Sequence, residues 1–130
     1  MANTFKNITA RLDATYNSNN GVAANALTNV GDFGGTNNAV ASGSQITLIG
    51  MTIANITSGV INVGIKLING SDQTWLVKDA PIPTGGSLIA LGGDQKVCLQ
   101  FVQGGVGDTI SVISNTANSM HVVLSYLEIT

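Results

Sequence analysis

Residues 45–70 read QITLIGMTIANITSGVINVGIKLING, and this stretch decides the fold. From Val60 to Ile68 apolar and polar residues alternate, with Ile61, Val63, Ile65 and Leu67 on one side and Asn62, Gly64 and Lys66 on the other. Side chains alternate faces along a strand, so this pattern is that of a half-buried β-strand. Upstream, Gln45–Ile56 is also strand-like but less one-sided. Ile46, Leu48, Gly50 and Thr52 share one parity, and Ile49, Met51 and Ile53 share the other. Two largely apolar faces are expected of a strand sandwiched or central in its sheet. Thr57-Ser58-Gly59 makes the turn between them. Asn69-Gly70 favours the positive φ values of a type I′ hairpin.

The same grammar extends outward. In the N-terminal stretch 3–16, Ile8, Ala10, Leu12, Ala14 and Tyr16 share parity and predict a first strand. Gln73–Lys78 predicts a strand that ends, or runs along an edge, at Pro81-Ile82-Pro83, because proline cannot donate to a ladder. Thr84-Gly85-Gly86 turns into Ser87–Leu91, and Gly92-Gly93-Asp94 turns into Lys96–Val102. After a tight loop at Gly104-Gly105-Val106-Gly107-Asp108 come Thr109–Ile113, a turn at Asn115–Ser119 and a last strand, Met120–Ile129. That last strand sets Met120, Val122, Leu124 and Tyr126 against His121, Val123, Ser125 and Leu127. About eight short strands at spacings near ten residues predict an all-β fold: a single-domain β-sandwich over 1–130, jelly-roll or Ig-like.

Residues 17–45 differ. Asn17-Ser18-Asn19-Asn20-Gly21, the stretch from Gly31 to Asn38 and Ala41-Ser42-Gly43-Ser44 are rich in turn formers. The expectation is a long Asn/Gly-rich loop or elaborated hairpin, with one helical turn at most, over Ala23-Ala24-Asn25-Ala26-Leu27. So polar a stretch is not expected to build a core strand. Its length marks it as the mobile, partner-facing part of the molecule, removable without loss of the sandwich.

Composition narrows the function. Only 5 Lys+Arg and 7 Asp+Glu occur in 130 residues, 9% charged against the ~25% of an average protein. Net charge is -2, and Lys6, Arg11, Lys66, Lys78 and Lys96 are scattered, so no nucleic-acid partner is expected. No apolar run approaches the ~18–20 residues of a membrane span, and Met1-Ala2-Asn3-Thr4-Phe5-Lys6 lacks the apolar stretch of a secretory signal. The chain is therefore expected to be made, and to be soluble, in a cytoplasm. So few charges leave little to oppose contact between copies, and a homo-oligomer, a trimer by preference, is expected.

Reactive groups are as sparse. His121 is the single histidine and Cys98 the single cysteine. His121, inside the last strand, reads as a partly exposed strand residue, since nothing picks out a serine and an aspartate to complete a triad. Cys98, between Val97 and Leu99, reads as a buried, inert thiol. Asp72, Asp79, Asp94 and Asp108 fall in predicted turns, where they cap local backbone; no Asp-x-Asp-x-Asp loop marks a Ca²⁺ site. The Gly-Gly pairs 34–35, 85–86, 92–93 and 104–105 lack the context of phosphate loops and are turn glycines. Trp75 and Tyr126 could stack on a sugar, but nothing in the sequence pairs them. No catalytic, metal or cofactor-binding residue is assigned, and no enzyme activity is expected.

Four stretches carry a resemblance. They are Met1-Ala2-Asn3-Thr4-Phe5-Lys6-Asn7; Trp75-Leu76-Val77-Lys78-Asp79-Ala80-Pro81-Ile82-Pro83-Thr84-Gly85-Gly86-Ser87-Leu88; Leu91-Gly92-Gly93; and Val122-Val123-Leu124-Ser125-Tyr126-Leu127-Glu128-Ile129. Together they resemble a family of small tailed-bacteriophage virion proteins. That family has a β-sandwich with a Lys-x-x-Pro-x-Pro-x-Gly-x-Ser-Leu turn, a Gly-Gly before a Lys-Val-x-Leu strand, and a closing strand ending Leu-Ser-x-Leu-Glu-Ile. The likeness covers the first dozen residues and about 46–130, and departs at 13–45. It implies a virion structural protein assembled in the host cytoplasm. The foremost expectation is a capsid decoration (cement) protein bound between major capsid proteins. The alternatives are a neck- or tail-attached protein such as a fibre adaptor, or a carbohydrate- or receptor-binding module.

Overall fold

The computed structural model describes residues 3–30, 33, 39–69, 72–91, 96–100 and 107–130. Among these residues nine strands and one helical turn follow in the order β1 (Asn3–Leu12), α1 (Tyr16–Asn19), β2 (Thr28–Asn29), β3 (Gln45–Asn55), β4 (Ile61–Asn69), β5 (Asp72–Ile82), β6 (Ser87–Leu91), β7 (Val97–Gln100), β8 (Thr109–Ser114) and β9 (Met120–Ile129). They form two antiparallel sheets, one ordered β1-β9-β3-β6 with β7 also on β3, the other β2-β8-β4-β5. β6 pairs with the C-terminal half of β3 and β7 with its N-terminal half, so the two line β3 as one row. The rows then pair first with last, second with second-last, third with third-last, and the middle two with each other. That nesting is one long hairpin rolled up, the jelly roll. Of the two sandwich types the sequence allows, the topology selects this one.

The core lies between the sheets. Ile46, Leu48, Met51, Ile53, Val122, Leu124 and Tyr126 enter from one side; Ile61, Val63, Ile65, Ile82, Ile110 and Val112 meet them from the other. β9 buries the residues its alternation predicts, and β4 buries Ile61, Val63 and Ile65 while Leu67 is half-buried against the core. β3 does not have two buried faces. Leu48 and Gly50 take consecutive partners, Tyr126 and Ser125, so Ile49 is an extra residue in a bulge. The bulge switches parity: Ile46 and Leu48 point inward before it, Met51 and Ile53 after it. Apolar residues on both parities thus serve one face.

β1 stops at Leu12, short of the expected strand to Tyr16. Asp13 turns the chain there: its Oδ1 accepts the Thr15 amide at 2.9 Å and the Thr15 hydroxyl at 2.6 Å. The helical turn falls on Tyr16–Asn19, while 23–27 forms a non-helical turn with Asn25 at φ 61°. β5 is longer than expected and carries Pro81 within an edge strand.

The largest departure concerns 17–45. Residues 25–30 of this stretch run along β8 as the second row of the roll. Asn25 N–H donates to Ser114 O, Thr28 pairs with Val112, Asn29 with Ser111, and Val30 N–H donates to Ile110 O. Val30, Phe33 and Val40 are buried in the core, and the Phe33 ring stands edge-on to Tyr126 at 5.3 Å. Gly21, at φ +73°, packs where a Cβ would lie 2.6 Å from Asn118 Oδ1, the oxygen that accepts the Val22 amide. Among the described residues the stretch contributes β2 and at least three core side chains, so removing 17–43 would delete part of the sandwich. The expected turns at Gly70, Gly92-Gly93-Asp94 and Gly104–Val106 lie outside the described residues, as do Phe101 and Val102 of the expected seventh strand.

Candidate interaction surfaces

The register of the β1-β9-β3-β6/β7 sheet defines its outer face row by row. One row is Phe5, Leu127, Thr47, Cys98. The next is Asn7, Ser125, Gly50; the next Thr9, Val123, Thr52, Ile89; the last Arg11, His121, Ala54, Ser87. Phe5 is 75% exposed, Ile89 73% and Val123 43%. Charge enters only the last row, so three successive rows present hydroxyls, amides and apolar groups with no ionised side chain. Such a face can pack against protein without desolvating ions, and its polar groups can still hydrogen-bond.

His121 sits at the charged corner. Its Nε2 lies 3.0 Å from Asp13 Oδ2, joining the start of β9 to the end of β1. Hydrogen bonds from the Thr15 hydroxyl, then the His121 ring, then the Thr15 amide hold the Asp13 carboxyl down at about 2, from an ordinary 3.8. Thr15 and His121 both touch the carboxylate and not each other. A hydroxyl nucleophile is activated by contact with the imidazole, so this cluster is a clamp on the chain reversal after β1. Asp13 drew no attention in the sequence; its Asp-x-Thr spacing signalled a turn, but the histidine lies 108 residues away.

Cys98 is exposed, contrary to the buried thiol expected, because it lies on the outward side of β7. The aspartates also sit differently. Asp72 opens β5, and Asp79, at φ 53°, occupies a bulge where Val63 and Ile65 take Ala80 and Val77 as partners. Asp108 is 4% exposed; its Oδ2 accepts the Gln100 amide at 3.1 Å and its carbonyl accepts the Val40 amide. Its Oδ1 and Thr109 Oγ1 are buried without a partner among the described residues. Asp94 is outside them. Among the described residues no group of three or more His, Cys, Asp or Glu side chains could hold a metal, and no helix is long and apolar enough to cross a membrane. Of the glycine pairs, 85–86 forms the turn into β6, with Gly85 at φ +75° and the Gly86 amide on Pro83 O; the other three fall outside.

The two aromatics weighed for sugar stacking part company. Tyr126 is buried against Phe33 and has no face for a ligand. Trp75 lies on the outer face of the other sheet, 38% exposed, with its indole laid over Gly64. Lys66 Nζ sits 4.5 Å and Lys78 Nζ 5.9 Å from the ring centroid, and Lys66 also donates to Gln73 Oε1 at 3.0 Å. Two of the five basic residues therefore crowd the one tryptophan, which favours cation–π cover over an open stacking platform.

No protein-family model, curated protein or solved structure matches this chain. The likeness to phage virion proteins stands on the quoted motifs alone.

Proposed function

We propose that this chain is a bacteriophage virion structural protein whose main role is to decorate the capsid, binding between major capsid proteins. The observation that carries the reading is the outer face of the β1-β9-β3-β6/β7 sheet. It is built on four strand rows, free of ionised groups over three cross-strand rows, and dotted with exposed Phe5, Val123 and Ile89. A docking protein needs a rigid, flat face of mixed hydrogen-bonding and apolar character, and a jelly roll holds one in place with its core. Motif likeness to virion proteins points the same way.

The test is quantitative mass spectrometry of purified particles, followed by a reconstruction of the head. Hundreds of copies lying between capsomers support decoration. About a dozen copies in one ring would move the protein to the neck or tail, the second station its motifs allow. Absence from particles would overturn both. A glycan or receptor role is disfavoured by the burial of Tyr126 and the lysines packed on Trp75.

A further inference from the structure

Among the described residues the two sheets have four edges, and three are guarded. β2 is two residues long. β5 carries two register shifts, Pro81 and a positive-φ Asp79. β6 carries a register shift, where Met51 and Thr52 of β3 take Leu91 and Ile89 as partners. Bulges, prolines and short strands are the devices by which proteins prevent edge-to-edge pairing. β1 has none of them. It runs ten residues without proline and pairs with β9 from Asn3–Ile129 to Leu12–Met120 with no register shift. Among the described residues its other side pairs with nothing. In an antiparallel strand every second residue turns its N–H and C=O to the free side, so about five residues present an unpaired ladder there.

Edge lysines are another guard, but Lys6 is engaged by its own chain: its Nζ meets Glu128 Oε1 at 2.8 Å. The two cations of β1 also do not oppose self-pairing. Antiparallel pairing of β1 with β1 keeps core-facing residues opposite core-facing ones only if the two-fold axis passes through a residue. With the axis at Asn7, Phe5 faces Thr9 of the second copy, whose neighbour within its own sheet is Val123. With the axis at Ile8, Phe5 faces Arg11 of the second copy. Lys6 and Arg11 have opposite parity, and neither arrangement sets cation directly against cation.

We propose that β1 is a self-association edge: two copies pair β1 to β1, antiparallel about a two-fold axis, joining their four-row sheets into one continuous sheet. A two-fold contact of this kind uses the same patch twice and closes at two. The building block is then a dimer, where composition alone favoured three copies. Its outer face is double the uncharged surface of one chain. The inference concerns the free protein and holds whatever particle it belongs to.

The experiment is light scattering on the purified full chain at about 100 µM, with two variants. The wild type is expected at twice the 13.3 kDa chain mass. Asn7 is exposed on the outer face, so Asn7→Lys leaves the sandwich intact; it sets two ammoniums opposite or diagonal to each other across the axis, and the mass should halve. Asn7→Asp alone should likewise be monomeric. Mixing the Lys and Asp variants in equal amounts should restore the doubled mass, which a merely misfolded variant could not do. A monomeric wild type overturns the proposal. So does an oligomer whose mass is unchanged by Asn7→Lys, or variants that stay monomeric when mixed.

Discussion

Asn55 Nδ2 donates to the Ile82 carbonyl at 2.9 Å, tying the end of β3 in one sheet to the end of β5 in the other. The same amide donates to Gly59 O at 2.8 Å, while Oδ1 accepts the Thr57 amide and hydroxyl, each at 2.8 Å. One buried side chain thus closes the β3–β4 turn and pins the two sheets together. Asn55→Ala leaves several buried polar groups unmet, each worth about 1–3 kcal/mol unpaired, and water can reach only some of them. The expected loss is about 2–4 kcal/mol, read as a lower urea midpoint with an unchanged slope. A loss under about 0.5 kcal/mol would show that the turn does not depend on this side chain.

Gly64 is where the indole of Trp75 rests. A Cβ there would lie 2.5 Å from Trp75 Cζ3 and 3.1 Å from Ile113 Cγ2. Gly64→Ala should lift the ring off the sheet, at about 1–3 kcal/mol, the usual penalty for overfilling a packed site. Trp75 is the single tryptophan, so its emission reports directly. The expected outcome is a red-shifted spectrum of the folded variant together with a lower thermal midpoint. An unshifted spectrum would mean that the ring is not seated on this glycine.

The legible parts of the chain are those where one strand decides its own pattern. The alternation in β4 and β9 names the inward residues, and Pro81 marks an edge. What escapes is whatever depends on a partner strand. Ile49 is a bulge only because β9 offers Tyr126 and Ser125 as successive neighbours. β2 is too short to show a period, and Val30, Phe33 and Val40 stand three and seven positions apart, so their burial follows no strand or helix rhythm. Cys98 looks buried between Val97 and Leu99, but strand parity turns it outward. The uncharged outer face is illegible for the same reason: Phe5, Val123 and Ile89 belong to three strands and share a surface only through the register.

The Asp13 clamp predicts a specific acid sensitivity. Its carboxyl is held at about 2 in the folded chain, below its ordinary 3.8. A depressed carboxylate contributes stability that is fully present above its unfolded value and is lost as pH falls through the folded one. The contribution should therefore be intact at pH 5 and decline between about pH 4 and pH 2. Asn at this position keeps an acceptor for the Thr15 amide but cannot titrate. Asp13→Asn should lower the thermal midpoint at pH 5 and narrow its difference from wild type at pH 2. Parallel pH profiles for the two proteins would remove Asp13 from the account of acid stability.

Phe33 tests whether the Asn/Gly-rich stretch builds the fold or only adorns it. Its side chain is 2% exposed and its ring meets Tyr126 edge-on at 90°, so it fills core volume beside β9. Truncation to alanine removes both the buried area and the aromatic contact with Tyr126. Phe33→Ala should cost about 3–5 kcal/mol, enough to unfold a sandwich of ordinary stability in part at room temperature. Equilibrium unfolding of the variant beside Phe33→Leu, which keeps most of the volume and should lose much less, checks this. If alanine and leucine both leave the midpoint within error of wild type, residues 17–45 lie outside the cooperative unit and the second row of the roll forms without them.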